Sequence, residues 1–183
     1  MTPSFLSLFY AITRNSAMDP NKWGPVTWRV LHGLVEEYVP ALHESYQGLF
    51  YSLAATLPCS KCRNNYVLKL IERPFPCDRS IVVVRNWLID IHNAVNTDLR
   101  KPVLSRKKAR EKIVPLKQGD VKKMLGFIRT NMVKNRPPRS YRAGLKILEQ
   151  HLGQILSVVT SFRKISPPAP PRRRPPPRSR SAR

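Results

Sequence analysis

Apolar residues recur at helical intervals through most of the chain. From Pro25 to Tyr38, the side chains of Trp28, Leu31, Leu34, Val35 and Tyr38 fall on one helical face, and Pro25 suits a first turn. A second segment, His43–Leu57, gathers Tyr46, Leu49, Phe50, Leu53, Ala54 and Leu57 before Pro58 stops it. A third runs Cys59–Ile71 and ends at the Pro-punctuated "RPFPCD". A fourth, Arg79–Leu99, carries Val84, Trp87, Leu88, Ile91, Val95 and Leu99. Its "SIVVV" has strand propensity, but the length and the later spacing favour helix. Lys101-Pro102 ends it. The pattern predicts an all-α fold, a four-helix bundle with "SRKKAREK" as a basic linker or short fifth helix.

Helical periodicity then resumes. Val121, Met124, Leu125 and Ile128 mark a helix over Asp120–Asn135; Leu145, Leu148, Leu152, Ile155, Leu156 and Val159 mark one over Ser140–Ile165. These two are expected to pack on each other as a helical hairpin. The last stretch, "PPAPPRRRPPPRSRSAR", is low complexity. The expected organisation is an N-terminal extension (1–20), a helical domain (21–116), a basic helical extension (117–165) and a Pro/Arg-rich tail (166–183).

Charge sharpens that division. Of a formal net charge of +22, residues 1–99 hold 9 Lys/Arg against 8 Asp/Glu, and residues 100–183 hold 24 against 3. A nearly neutral segment is joined to one of +21, whose field would attract nucleic acid, an anionic surface or an acidic partner. No stretch is long and apolar enough for a transmembrane helix. The apolar run Phe5–Ile12 has no preceding basic residue, so no convincing targeting signal is expected.

Three cysteines are too few for a disulfide-stapled scaffold. Two of them form Cys59-Ser60-Lys61-Cys62, which can be a redox disulfide, half of a zinc site, or two small buried residues. Pro58 puts Cys59 at a helix N-terminus, where unpaired N–H groups stabilise a thiolate, and Lys61 and Arg63 add positive charge. Zinc would need Cys77 and His92 to complete a Cys₃His set. Beside the apolar stripes, Trp28 and His32 share one face of the first helix, and His92 and Asn96 one face of the fourth. Rings and amide donors of this kind suit a flat heterocycle with polar edges, although each pair alone is more readily a satisfied core contact.

The order of these features resembles the Erv/ALR sulfhydryl oxidases. Lys22-Trp23-Gly24-x-x-Thr27-Trp28-x-x-x-His32 comes first. Cys59-x-x-Cys62 follows, then Trp87-x4-His92-Asn93-x-Val95-Asn96-x-x-Leu99-x-Lys101-Pro102. The resemblance implies an FAD-binding helical bundle over 21–116 that oxidises protein dithiols with dioxygen, giving disulfides and hydrogen peroxide, usually as a homodimer. It implies a Cys59–Cys62 disulfide, with Cys62 next to the flavin and Cys59 receiving the substrate's electrons. It implies flavin contacts from Lys22, Trp23, Gly24, Thr27, Trp28, His32 and, by a looser match, Tyr38. His92, Asn93, Val95, Asn96, Leu99 and Lys101 would line the remainder of the cofactor. Lys22 and Lys101 also make physical sense against a pyrophosphate.

The chain departs from the family pattern in two places. Where many members have a bracing disulfide, it has Ile89 and "VLSRKK", and it has no shuttle cysteine pair, since Cys77 is alone. The compact domain and arginine-rich tail resemble oxidases of large DNA viruses, implying host cytoplasm or virion as location. A competing reading is a zinc-stabilised nucleic-acid-binding protein acting through the basic half.

Overall fold

In a computed structural model, residues 18–135 and 139–165 are described, and all regular structure among them is helical. The expected N-terminal extension and Pro/Arg-rich tail lie outside the described residues, apart from Met18 to Pro20. The elements are α1 (Pro20–Glu36), a 3-10 turn (Pro40–Leu42), α2 (His43–Thr56), α3 (Ser60–Glu72), α4 (Ile81–Asp98), α5 (Arg106–Glu111), α6 (Gln118–Asn135) and α7 (Arg139–Ile165). The all-α bundle read from the sequence is present, with the short helix α5 in "SRKKAREK".

One boundary differs. Helix α1 begins at Pro20, not at Pro25. Asp19 caps it by accepting from Asn21 N at 2.9 Å, and Pro20 takes the first helical position. Pro25 lies inside the helix, where its missing N–H leaves the carbonyl of the exposed Asn21 to solvent.

The first four helices pack around Leu31, Leu34, Leu49, Phe50, Leu53, Leu88 and Ile91, all fully buried. Phe50, Phe75 and Trp87 form an aromatic knot with centroids 4.8–5.6 Å apart. Trp87 Nε1 donates to Arg73 O at 3.0 Å, so the knot also ties down the loop between α3 and α4. Arg85 and Glu36 pair at 2.7 Å and join α4 to α1. Arg79 pairs with Glu44 at the start of α2.

The basic extension departs from expectation. Helices α6 and α7 do not pack chiefly on each other; α7 lies along α2, and α6 lies along α1. On α7, Tyr141, Leu145, Leu148, Leu152, Ile155 and Val159 are buried. Their alternating spacing of four and three is that of a helix seam. Burying each contributes roughly 1.5–3 kcal/mol, which holds α7 on α2. Met124 and Ile128 of α6 and Leu116 before it join the same core. Arg29 of α1 pairs with Asp120 of α6 at 3.3 Å, while Tyr141 Oη donates to Ile128 O at 3.0 Å. Two faces of the bundle that would otherwise meet solvent are thereby covered.

The seam is tight at Gly144, where an added Cβ would stand 2.7 Å from Ala55 Cβ and 3.2 Å from Thr56 Cγ2. Gly153, two turns on, has nothing within 4 Å. Gly144→Ala should therefore lower stability by about 1–2 kcal/mol, overpacking outweighing its helix propensity. Gly153→Ala should raise stability by about 0.5–1 kcal/mol. Urea denaturation of both variants checks this; equal effects would mean that α7 does not pack on α2 at Gly144.

Candidate functional site

Pro58 cannot continue α2, and the chain turns there into α3. Cys59 has extended backbone geometry (φ −126°, ψ 124°) and caps α3, its Sγ accepting from Cys62 N at 3.2 Å. The two cysteines are disulfide-bonded across that first turn, with Cα atoms 5.1 Å apart. Cys59 is buried and Cys62 is partly exposed. Arg63 locks the turn: its N donates to Cys59 O at 2.9 Å, and its Nη1 donates to Leu57 O at 2.7 Å. Burial lowers the guanidinium's pKa, and the group stays charged at neutral pH because arginine starts so high.

Cys62 faces a cavity of about 470 Å³ between α1, α2, α3, α4 and the 101–114 segment. Of the residues singled out in the sequence, Trp23, Gly24, Thr27, Trp28 and His32 line it from α1; His92, Asn93, Val95, Asn96, Leu99 and Lys101 line it from α4 and just beyond. Three do not. Cys59 sits behind Cys62, and Lys22 is exposed on the outer side of α1. Tyr38 is buried elsewhere, its hydroxyl 2.6 Å from His43 Nδ1 and its ring against Tyr46.

The rings in the cavity are mutually arranged. Trp28 and His92 stack at a 4.0 Å centroid distance and 8°. His32 Nε2 and His92 Nδ1 share a hydrogen bond at 3.0 Å. Burial pushes both histidines down to about 4, helped by their mutual proximity at His32 and by the Lys101 ammonium at His92. Both are therefore neutral at pH 7, and one N–H lies between them. A single further N–H remains for a ligand, on His92 Nε2 or His32 Nδ1 according to the tautomer.

Asn93 and Asn96 act as anchors. Asn93 Nδ2 donates to Leu104 O at 2.8 Å, and its Oδ1 accepts from Leu104 N at 3.1 Å. Asn96 Nδ2 donates to Pro102 O at 3.3 Å. Arg100, at φ 53°, reverses the chain after α4, and these amides hold the returning segment as a cavity wall. Arg106 pairs with Asp90 at 2.6 Å and fixes α5 along α4.

Other lining residues escaped the sequence reading: Leu57, Asn65, Tyr66, Arg29 and Lys112 among them. Asn65 and Tyr66 follow Cys62 by three and four residues, a helical spacing that could have found them. Tyr66 is buried, its hydroxyl has no hydrogen-bond partner among the described residues, and burial holds that hydroxyl protonated. Among the described residues the lining contains Arg29, Lys101 and Lys112 and no carboxylate. Apolar and aromatic walls, few polar groups and an excess of cations suit an anionic ligand with flat rings. The Cys₃His set is not assembled. Both CxxC sulfurs are bonded to each other, Cys77 is free and exposed, and no group of three His, Cys, Asp or Glu side chains converges among the described residues.

Comparison with known proteins points to one family. The Erv1 / Alr family model matches residues 25–114. A protein of invertebrate iridescent virus 6 that carries the name FAD-linked sulfhydryl oxidase 347L is 32% identical over 105 residues, covering 52% of this chain and 95% of that one. R368 of Acanthamoeba polyphaga mimivirus, named likewise, is 35% identical over 103 residues, covering 52% and 71%. For 088R of frog virus 3, also so named, the figures are 29% over 105 residues, 52% and 68%. No solved structure matches the chain.

The neutral histidine pair has a pH signature. The unfolded chain takes up protons near pH 6.5, whereas the folded pair resists until about 4. The unfolded state binds more protons in that window, so stability should fall as pH drops from 6.5 towards 4. His32→Gln should flatten the fall in melting temperature between pH 7 and pH 5; an unchanged slope would mean that the pair does not titrate as a buried unit.

Proposed function

The chain belongs to the Erv1/Alr family, and on that premise we propose that it is an FAD-dependent thiol oxidase working through Cys59 and Cys62 at the cavity described above. The observation that carries this reading is the placement of the disulfide: Cys62 is on the cavity wall and Cys59 behind it, one sulfur for each side of an electron relay.

The lining fits FAD. Trp28, Leu53, Leu57, Tyr66 and Ile89 make an apolar slot for a tricyclic ring beside Cys62. His32 and His92 offer one neutral N–H, and Lys101 and Lys112 offer cations for a diphosphate without a competing carboxylate. When bound, FAD supplies the two-electron acceptor and the route onward to dioxygen, giving hydrogen peroxide.

The protein's own steps are thiol–disulfide exchange. A substrate thiolate attacks Cys59 Sγ, the Cys59–Cys62 bond breaks, and Cys62 leaves as a thiolate. The N-terminus of α3 stabilises that charge. The second substrate thiol, deprotonated, attacks the substrate sulfur of the mixed disulfide and releases Cys59. The substrate leaves as a disulfide, its two electrons stay on the cysteine pair, and its two thiol protons pass to solvent. Buried Cys59 must be uncovered for the first attack.

Dithiol polypeptides are the proposed substrates, and a homodimer in host cytoplasm or virion is part of the same proposal. No helix among the described residues is long and apolar enough to cross a membrane. We further propose that exposed Lys107, Lys108, Lys122 and Lys123 bind a polyanion such as nucleic acid. Its affinity should fall steeply with salt, as counterion release requires; salt-insensitive binding would contradict this.

The protein should purify yellow with bound FAD and consume oxygen with dithiothreitol. Cys59→Ser and Cys62→Ser should each lower turnover by roughly a hundredfold or more, since a two-sulfur relay fails when either is lost. The long-wavelength absorbance of a thiolate beside the flavin should appear with Cys59→Ser and be absent with Cys62→Ser. Retention of turnover in either variant would overturn the relay.

A further inference from the structure

Helix α7 contributes more than cover for α2. Its first turn comes down beside the redox-active turn of α3, and a groove of about 360 Å³ lies between them. Ala54 and Ala55 of α2 line it with small side chains and Tyr51 and Tyr141 with aromatic ones, together with Arg63, Asn64 and Ser140. We propose that this groove receives the polypeptide of the substrate dithiol and selects segments with acidic side chains next to the cysteines. The proposal takes Cys59 as the entry sulfur, as the oxidase reading does.

Arg63 is the link. Its backbone N is bonded to Cys59 O, and its guanidinium reaches back to Leu57 O, so both flanks of Cys59 are fixed by the residue that enters the groove. The guanidinium lies 5.5 Å from the centroid of the Tyr141 ring of α7, within cation–π range. Tyr141 is held in turn by its hydroxyl on Ile128 O. A charged group is thus positioned, half-buried, one helical turn from the sulfur. Among the described residues lining the groove there is no carboxylate. Lys61, Arg139 and Arg142, close by in sequence, are exposed. An acidic segment is the complementary occupant. The chain's own arginine-rich residues 172–174 would be repelled by the same charges.

Ser140 and Tyr141 lie beyond residue 114, outside the segment matched by the family model. Two of the seven residues lining the groove therefore come from the appended helix, which gives α7 a role in choosing substrates as well as in stability. A small dithiol reaches Cys59 without occupying the groove; a polypeptide must lie along it.

Ser140 tests this without touching the core. It is exposed in the first turn of α7, where a carboxylate is favoured by the helix dipole, so Ser140→Glu should fold. Wild type, Ser140→Glu and the neutral Ser140→Gln are compared on dithiothreitol and on matched peptide dithiols flanked by Glu or by Lys. Wild type should show a KM roughly tenfold lower for the acidic peptide than for the basic one. Ser140→Glu should raise the acidic-peptide KM relative to the dithiothreitol KM by roughly three- to tenfold, and Ser140→Gln should not. In parallel, anisotropy of a labelled acidic peptide with serines for cysteines should show binding weakened by Ser140→Glu alone. No preference for acidic peptide, or identical behaviour of the two variants, overturns the groove. Failure of wild type to oxidise dithiothreitol would instead sink the oxidase reading, and the anisotropy measurement would still decide what the groove binds.

Discussion

The first turn of α3 is the constraint on which the remainder depends. Pro58 ends α2, and Cys59 takes an extended conformation and caps the new helix with its sulfur. The bond to Cys62 then closes the turn. Because Cys62 is three residues on, it emerges on the cavity side, while Arg63 emerges towards α7. One turn of helix thereby stands between the cationic cavity, which Cys62 lines, and the groove, which Arg63 lines. Leu53 and Leu57 beneath it, the Trp87 knot behind it and the Asn93–Leu104 clamp across the cavity all hold that turn in register with α1 and α4.

The appended helices serve the same turn. With α7 seated on α2 through Gly144, and α6 on α1 through the Arg29–Asp120 pair, the bundle has its outer faces covered from within the chain. The strong positive charge of the second half does not prevent this, because among the described residues Lys122, Lys123, Arg129, Arg139, Arg142 and Lys146 lie on the outer faces of helices whose inner faces are apolar.

Most of the fold was legible because each helix has one apolar face. Leu145, Leu148, Leu152 and Ile155 announce a buried stripe on α7, yet periodicity says nothing about what covers it; the facing surface is α2 and not α6. The sequence reading started α1 at Pro25, whereas the Asp19 cap starts it at Pro20. At the site, motif order found the α1, α3 and α4 contributions to the cavity. Lys22 sits beside Trp23 in sequence but about 100° around the helix, which puts it in solvent. Lys112 and the wall at 101–114 come from irregular chain, where no period exists to read. The groove at Ser140 was invisible because it joins segments some 75 residues apart, a distance that only the α2–α7 seam closes.

The central claim is that electrons pass from dithiol to flavin only through the Cys59–Cys62 bridge. Anaerobic addition of dithiothreitol to the purified flavoprotein, followed by flavin absorbance, tests it most directly. The account predicts rapid bleaching in wild type, recovery when oxygen is admitted, and bleaching slowed by at least roughly a hundredfold when both cysteines are serine. Bleaching at the wild-type rate in that double variant would contradict it.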